Sequence, residues 1–154
     1  MKKNSYSEEL SILINKEVSL GDLKGIIYTN GSNSTFQIDI DNKIYRVFTI
    51  ENEAQKIEEY NISNINIIHL KKLIKKYNFP AWINLPMGDL FALDAPDRRL
   101  VFEYDNTKVD GNHNVEYSIN LFSRIPKDGM EYINMFIDYI LSLNKEKNKI
   151  KEQD

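Results

Sequence analysis

Two runs of residues that alternate between apolar and polar flank Asp41-Asn42: TFQIDI at 35–40 and KIYRVFTI at 43–50. Such alternation is typical of β-strands, and an Asp-Asn pair between two of them predicts a hairpin with a two-residue loop. No other feature constrains the fold as strongly, because the loop fixes which residues of the two strands lie opposite each other.

With the loop at 41–42, Ile38 pairs with Tyr45 and Phe36 pairs with Val47. Residues that pair across two strands share a face of the sheet. The register therefore predicts that these four side chains lie together on the inner face of the hairpin.

The opposite face of this hairpin is unusually apolar for a surface exposed to water. It places Arg46 across from Gln37 and carries Ile44 and Phe48 beside the arginine. Two interpretations remain open: another part of the chain covers this face, or the face is a small contact patch.

Further strands are predicted on both sides of the hairpin. KGIIYT at 24–29 follows a turn, and HNVEYSINLF at 113–122 alternates as a half-buried antiparallel strand does. SILIN at 11–15 is expected to be a short edge strand. ENEAQKIEEY at 51–60 is polar and gives no clear prediction.

Two amphipathic helices are predicted. The first starts at Ser63 and ends before Pro80, and the second is opened by Pro126. The apolar stripe of the first helix follows helical spacing and comprises Ile65, Ile67, Ile68, Leu70, Leu73, Ile74 and Tyr77. Its lysines are expected on the solvated side, and Trp82 is expected to plug the core.

The stretch LDAPDRRLVFEYDN at 93–106 is the densest in charged groups, with two arginines among four carboxylates. It fits either an active site or a hairpin that turns at Pro96-Asp97. We favour the hairpin, because this turn pairs apolar Leu93 with Leu100 and Phe91 with Phe102 on the core side. Asp94 and Arg99 would then form an exposed cross-strand pair.

The resulting element order is β-β-β-α-β-β-β-α. Hairpin connections imply an antiparallel sheet, here of about six strands, and two helices on one face give a two-layer α+β fold. We expect a loose N-terminus at 1–10, a single domain at 11–144 and a frayed, charged C-terminal tail at 145–154.

Composition excludes several classes of function. The 154 residues include no cysteine, which excludes disulfides and thiol chemistry. A net charge of −3 disfavours nucleic-acid binding. No run is apolar enough for a membrane span or a secretory signal, so we expect a cytoplasmic protein.

The chain offers little catalytic chemistry. His69 and His113 are its only imidazoles. His69 has no acidic residue three or four positions away, and His113 lies near Asp105 and Asp110 but only in a loop. The carboxylates of the 89–113 region fall on different strand faces, and no phosphate-binding or nucleophile motif occurs. No catalytic residue, metal site or cofactor is predicted.

The second half of the chain resembles a broad group of small bacterial proteins. Their pattern is a helix ending in KYN, a tryptophan, a hairpin of the form D-G-x-x-W-x-L-x-I-x-Y, and a helix opened by proline. The matching positions, within 63–143, are Tyr77, Asn78, Trp82, Asp94, Leu100, Phe102, Tyr104, Ile125 and Pro126. Ala95, Arg98 and Ser123 depart from the pattern. No activity is established for the group, so the resemblance implies an α+β fold and no catalytic residue.

These observations favour a non-enzymatic protein-binding or inhibitory module, of the kind represented by immunity proteins, that uses an exposed sheet face. The residues expected to bind a protein partner are Ile44, Arg46, Phe48, Arg98 and Arg99. Apolar and arginine side chains are common at the centre of protein interfaces. The alternative is a small-ligand-binding protein, or a hydrolase that uses carboxylates of the 89–113 region.

Overall fold

The computed structural model describes residues 5–31, 33–88, 98–144 and 149–153, the last of these as backbone alone. The helices are α1 (Glu8–Asn15), α2 (Asn64–Tyr77), α3 (Thr107–Asp110) and α4 (Lys127–Ser142), with a 3₁₀ turn at Phe79–Trp82. The strands are β1 (Asp22–Asn30), β2 (Ser34–Asp39), β3 (Ile44–Glu51), β4 (Ala54–Asn61), β5 (Arg98–Asn106), β6 (Asn112–Asn120) and β7 (Lys149–Gln153).

The strands form one antiparallel sheet in the order β6-β5-β1-β2-β3-β4-β7. Strands β1 to β4 are joined by tight turns, so each pairs with its neighbour in sequence, whereas β5 pairs with β1 on the far side. The predicted α+β class with an antiparallel sheet is confirmed.

The predicted register of the β2–β3 hairpin is also confirmed. Ile38 pairs with Tyr45 and Phe36 with Val47, and Ile38 and Tyr45 are fully buried. The turn between the strands is tightened by the Asp39 carboxylate, which accepts a hydrogen bond of 3.1 Å from the Asn42 backbone amide.

The core lies between one face of the sheet, the inner face, and the helices. Phe102 of β5 contacts Phe79 of the 3₁₀ turn, with ring centroids 6.0 Å apart, and Phe136 of α4, at 5.8 Å. Trp82 is fully buried beside Phe79, and its indole N–H donates a 3.0 Å hydrogen bond to the Tyr77 carbonyl. The expected role of Trp82 as a core plug is confirmed.

The segment expected to be an edge strand at 11–15 is the second half of helix α1. Ser7 caps this helix by accepting a hydrogen bond from the Leu10 amide, and Leu10 and Leu13 turn one face toward the core. The Asp128 carboxylate of α4 accepts hydrogen bonds from the Ser7 amide (2.7 Å) and hydroxyl (2.8 Å). These contacts fix part of the segment at 1–10 that was expected to be loose.

Helix α2 starts after Ser63 as predicted, because Ser63 and Asn66 form a reciprocal capping box. Its core face is narrower than the predicted stripe: Ile65 and Ile68 are exposed, at 77% and 55%. Its four predicted surface lysines are all exposed. Asn78 ends the helix in the left-handed conformation.

Two strands occupy segments that were not predicted to be strands. The polar segment at 51–60 largely becomes β4, which pairs with β3 along its whole length. Lys149–Gln153 forms β7, which pairs with β4 at the edge of the sheet. This strand lies within the segment that was expected to be a frayed tail.

The predicted hairpin around Pro96-Asp97 falls partly on residues 89–97, which lie outside the described residues. The described half contradicts its pairing. Leu100 pairs with Tyr28 of β1 on one side and with Ile119 of β6 on the other, so both hydrogen-bonding edges of β5 are occupied at that point.

Pro126 is the N-cap of α4, in agreement with the prediction that it opens the last helix. Among the described residues, no helix combines the length and the apolar character needed to cross a membrane.

Candidate functional site

The face of the sheet opposite the core, called the open face below, carries no described helix. None of its side chains is fully buried, in contrast to the inner face, where the buried residues form one cluster with those of the helices. The open face comprises Ile27, Thr29, Thr35, Gln37, Asp39, Ile44, Arg46, Phe48, Ile57, Glu59, Arg99, Val101, Glu103, Glu116 and Ser118.

One row of paired residues crosses most of this face. Arg99 pairs with Thr29, Thr29 with Thr35, Thr35 with Phe48 and Phe48 with Ile57. Three strand spacings separate Arg99 from Phe48, or about 14 Å. The row thus presents an arginine at one end and two adjacent large apolar side chains at the other.

Arg46 lies in the next row and is held by two carboxylates. Its Nε is 2.5 Å from Glu59 Oε2 on β4, and its Nη1 is 3.9 Å from Asp39 Oδ2 on β2. The guanidinium is therefore fixed between neighbouring strands while 28% of the side chain remains exposed.

Toward β6 the open face becomes acidic. The Glu103 carboxylate lies over Gly25, where the lack of a side chain leaves room for it. Partial burial raises the pKa of Glu103, and the nearby charges of Glu116 and Asp39 raise it further. A raised pKa means that ionised Glu103 is poorly compensated by its surroundings.

A shallow depression of about 330 Å³ lies at the rim of the face beside Phe48. Its walls come from the β1–β2 turn and from β2, β3 and β4, including Thr35, Ile50 and Gln55. Ile50 is 49% exposed there. A depression lined by apolar and uncharged polar groups suits a single anchoring side chain of a partner.

Four of the five residues predicted to bind a partner share the open face: Ile44, Arg46, Phe48 and Arg99. Arg98 lies on the inner-face side, at the end of β5. Its guanidinium donates hydrogen bonds of 3.2 and 3.1 Å to the Tyr28 hydroxyl. Because neighbouring strand residues point to opposite faces, Arg98 and Arg99 cannot contact one flat partner together.

The structure also brings together Asp105, Thr107 and His113 between β5 and β6. The Thr107 hydroxyl donates to Asp105 and lies 2.9 Å from His113 Nδ1, which is 3.9 Å from Asp105 Oδ1. The pKa of Asp105 is lowered, first by the Thr107 hydroxyl. His113 is 77% exposed, so the cluster stabilises a turn that is open to solvent.

Within residues 5–31, 33–88 and 98–144, no group of three or more histidine, aspartate or glutamate side chains is arranged to hold a metal ion. No protein-family model, curated protein or solved structure matches the chain.

Sequence reasoning missed the contribution of β4 to the open face, namely Ile57 and Glu59. The signal was present in QKIEEY, where Ile57 alternates with charged neighbours. It was hidden because a strand rich in glutamate and lysine has a low intrinsic β propensity and depends on pairing with β3.

Proposed function

We propose that this protein is a non-enzymatic protein-binding or inhibitory module whose docking surface is the open face of the sheet. The observation that carries the proposal is the row from Arg99 to Ile57, next to Arg46 and to the rim depression beside Phe48. Aromatic side chains and arginine are enriched at the positions that contribute most of the binding free energy of protein interfaces.

The charges of this face define the partner further. Its described side chains include four carboxylates, of Asp39, Glu59, Glu103 and Glu116, against the two guanidinium groups of Arg46 and Arg99. Complementary potentials accelerate association and exclude wrong partners. The proposed partner is therefore a protein with a basic surface around an apolar anchor, which fits an inhibitory role toward a basic protein. We place the complex in the cytoplasm, in keeping with a sequence without cysteine.

The test is affinity capture from the source organism with the purified chain and two single variants. Phe48→Ala removes the apolar anchor of the open face, whereas Ile65→Ala removes an exposed side chain of similar character from helix α2. We expect a stoichiometric basic partner that is retained by the parent chain and by Ile65→Ala. Its affinity for Phe48→Ala is expected to fall at least about tenfold.

Circular dichroism and urea unfolding of both variants provide the control for folding. A partner lost on Ile65→Ala and retained on Phe48→Ala would move the docking surface to the helix side and contradict the proposal. An acidic partner would contradict the charge argument while leaving the location of the surface intact.

A further inference from the structure

A cavity of about 790 Å³ lies on the helix side of the sheet. It is bounded by residues 18–24, by the end of β2 and by the second half of α2. Leu23, Ile40 and Ile74, each at least nine-tenths buried, supply its apolar walls. The volume falls within the range of sites that bind small molecules.

Three lysines line this cavity. Lys24 is paired with Asp41, its Nζ lying 3.1 Å from the carboxylate. Lys71 and Lys75 are one helical turn apart on α2 and have no carboxylate within ion-pair distance among the described residues. Within the described part of the chain, two ammonium groups therefore flank the cavity without an ion-pair partner, and Asp22 is the one lining carboxylate besides Asp41.

Tyr104 of β5 adds a polar group to the same wall. The residue is 5% exposed, and no hydrogen bond to its hydroxyl occurs within the described part of the chain. Burial, and then Tyr117, raise the pKa of this hydroxyl, so that it remains a protonated donor at neutral pH. Because Tyr104 lines the cavity, its hydroxyl is a donor available to a molecule bound there.

We propose that this cavity binds a small organic anion, with an apolar body against Leu23, Ile40 and Ile74 and a carboxylate or phosphate between Lys71 and Lys75. Burial of the ligand's apolar body against these walls contributes affinity, and the two lysines favour a ligand that carries a negative charge. The site is separate from the docking surface proposed above, since its apolar walls and its two α2 lysines lie on the helix side of the sheet.

The experiment compares sodium octanoate with octan-1-ol, which has the same chain length and no charge. Titrations followed by ¹H–¹⁵N correlation spectra report affinity and location together. We expect saturable binding of octanoate, with shifts in residues 18–24 and 71–78. Octanol is expected to bind about tenfold more weakly, since it lacks the charge-assisted contacts.

The double variant Lys71→Gln/Lys75→Gln removes the two uncompensated charges, and Lys72→Gln/Lys76→Gln is the matched control. The control pair lies on the same helix, does not line the cavity and removes the same net charge. Octanoate affinity is expected to fall about fivefold to tenfold in the first variant and to stay unchanged in the second. Tyr104→Phe is expected to weaken octanoate binding by a smaller factor.

Three results would overturn the assignment. One is the absence of saturable octanoate binding, and another is equal affinity for octanol and octanoate. The third is an equal loss in the two lysine variants, which would reduce the effect to the overall charge of the helix. Both lysine pairs are exposed, so the variants are expected to fold.

Discussion

Arg46 and Glu59 face each other across β3 and β4, with the guanidinium Nε 2.5 Å from the carboxylate Oε2. The glutamate side chain is only 18% exposed, so its charge depends on this partner more than a surface carboxylate would. The pair joins the centre of the open face to the strand that the sequence did not predict.

Replacing Arg46 with alanine leaves the Glu59 carboxylate without its closest cation. We expect the free energy of unfolding at pH 7 to fall by about 1 kcal/mol in urea denaturation. A double-mutant cycle with Glu59→Gln separates the pair from the packing of the arginine stem. A coupling energy near zero would show that the Arg46–Glu59 ion pair does not stabilise the folded state.

Asn78 connects the end of α2 to α1, and we predict that its backbone and its side chain contribute separately to stability. Its φ of 55° lies in the left-handed region, and its amide donates to the carbonyls of Leu13 (2.9 Å) and Lys16 (2.8 Å). Asn78→Gly keeps the backbone conformation and loses the hydrogen bonds, at a cost of about 1–2 kcal/mol. Asn78→Ala also strains the backbone and is expected to cost about 1 kcal/mol more. Equal losses in thermal or urea unfolding would contradict this separation.

A side chain added at Gly21 would meet backbone atoms, whereas one added at Gly25 would meet another side chain. A Cβ on Gly21 would collide with the carbonyl oxygen of Asp105, whereas one on Gly25 would collide with the Glu103 carboxylate, at the end of a flexible side chain. We expect Gly21→Ala to lower the free energy of unfolding by about 1–3 kcal/mol. The loss in Gly25→Ala is expected to be smaller, because Glu103 can rotate away. The reverse order in urea unfolding would contradict the prediction.

The Asp128 carboxylate links stability to pH. The hydrogen bond from the Ser7 amide is the main cause that lowers the pKa of Asp128, with help from the Ser7 hydroxyl. Because the folded state binds this proton less tightly than the unfolded state, the contribution is present above the unfolded pKa, about 3.9. It is lost as the pH falls below that value through the folded pKa.

Asp128→Asn is therefore expected to reduce stability at pH 7 and to leave it nearly unchanged at pH 2, relative to the parent chain. Urea midpoints measured across this range check the difference. A variant that follows the parent curve at every pH would exclude Asp128 from the acid sensitivity of the fold.

Sequence patterns predicted the local parts of this fold well. The β2–β3 register followed from alternation and turn chemistry, and the start of α2 followed from Ser63, because these signals lie within a few residues of one another. Tyr77, Asn78 and Trp82 make contacts that stabilise the fold: the Trp82 indole donates to the Tyr77 carbonyl, and the Asn78 side chain donates to the Leu13 carbonyl of α1.

The errors arose where distant residues decide the structure. Helix α1 has a serine cap and acidic first turn, but the apolar run SILIN alone fits a strand equally well. The pairing proposed for Leu100 was wrong because a run of sequence does not reveal that β1 and β6 occupy both edges of β5.

The candidate site was predictable only in part. The shared face of Ile44, Arg46 and Phe48 was predicted because one hairpin determines it. Arg98 and Arg99 were grouped by adjacency, although strand geometry separates them, and Ile57 joined the site only through the pairing of β4. The cavity near Lys71 and Tyr104 depends on contacts between the two halves of the chain and has no local signature.

The position of β1 in the middle of the sheet has a kinetic consequence. Strands β1 to β4 pair with sequence neighbours and can assemble quickly, and so can the β5–β6 pair. Pairing β1 with β5 brings Ile26 opposite Phe102, about 75 residues further along the chain. This closes a long loop, and the chain entropy is lost before the contacts between the two strands can offset it. We expect this pairing to limit the refolding rate. Stopped-flow fluorescence of Trp82, the single tryptophan, would then show slower refolding after a truncation of Ile26 than after one of Ile57 in β4.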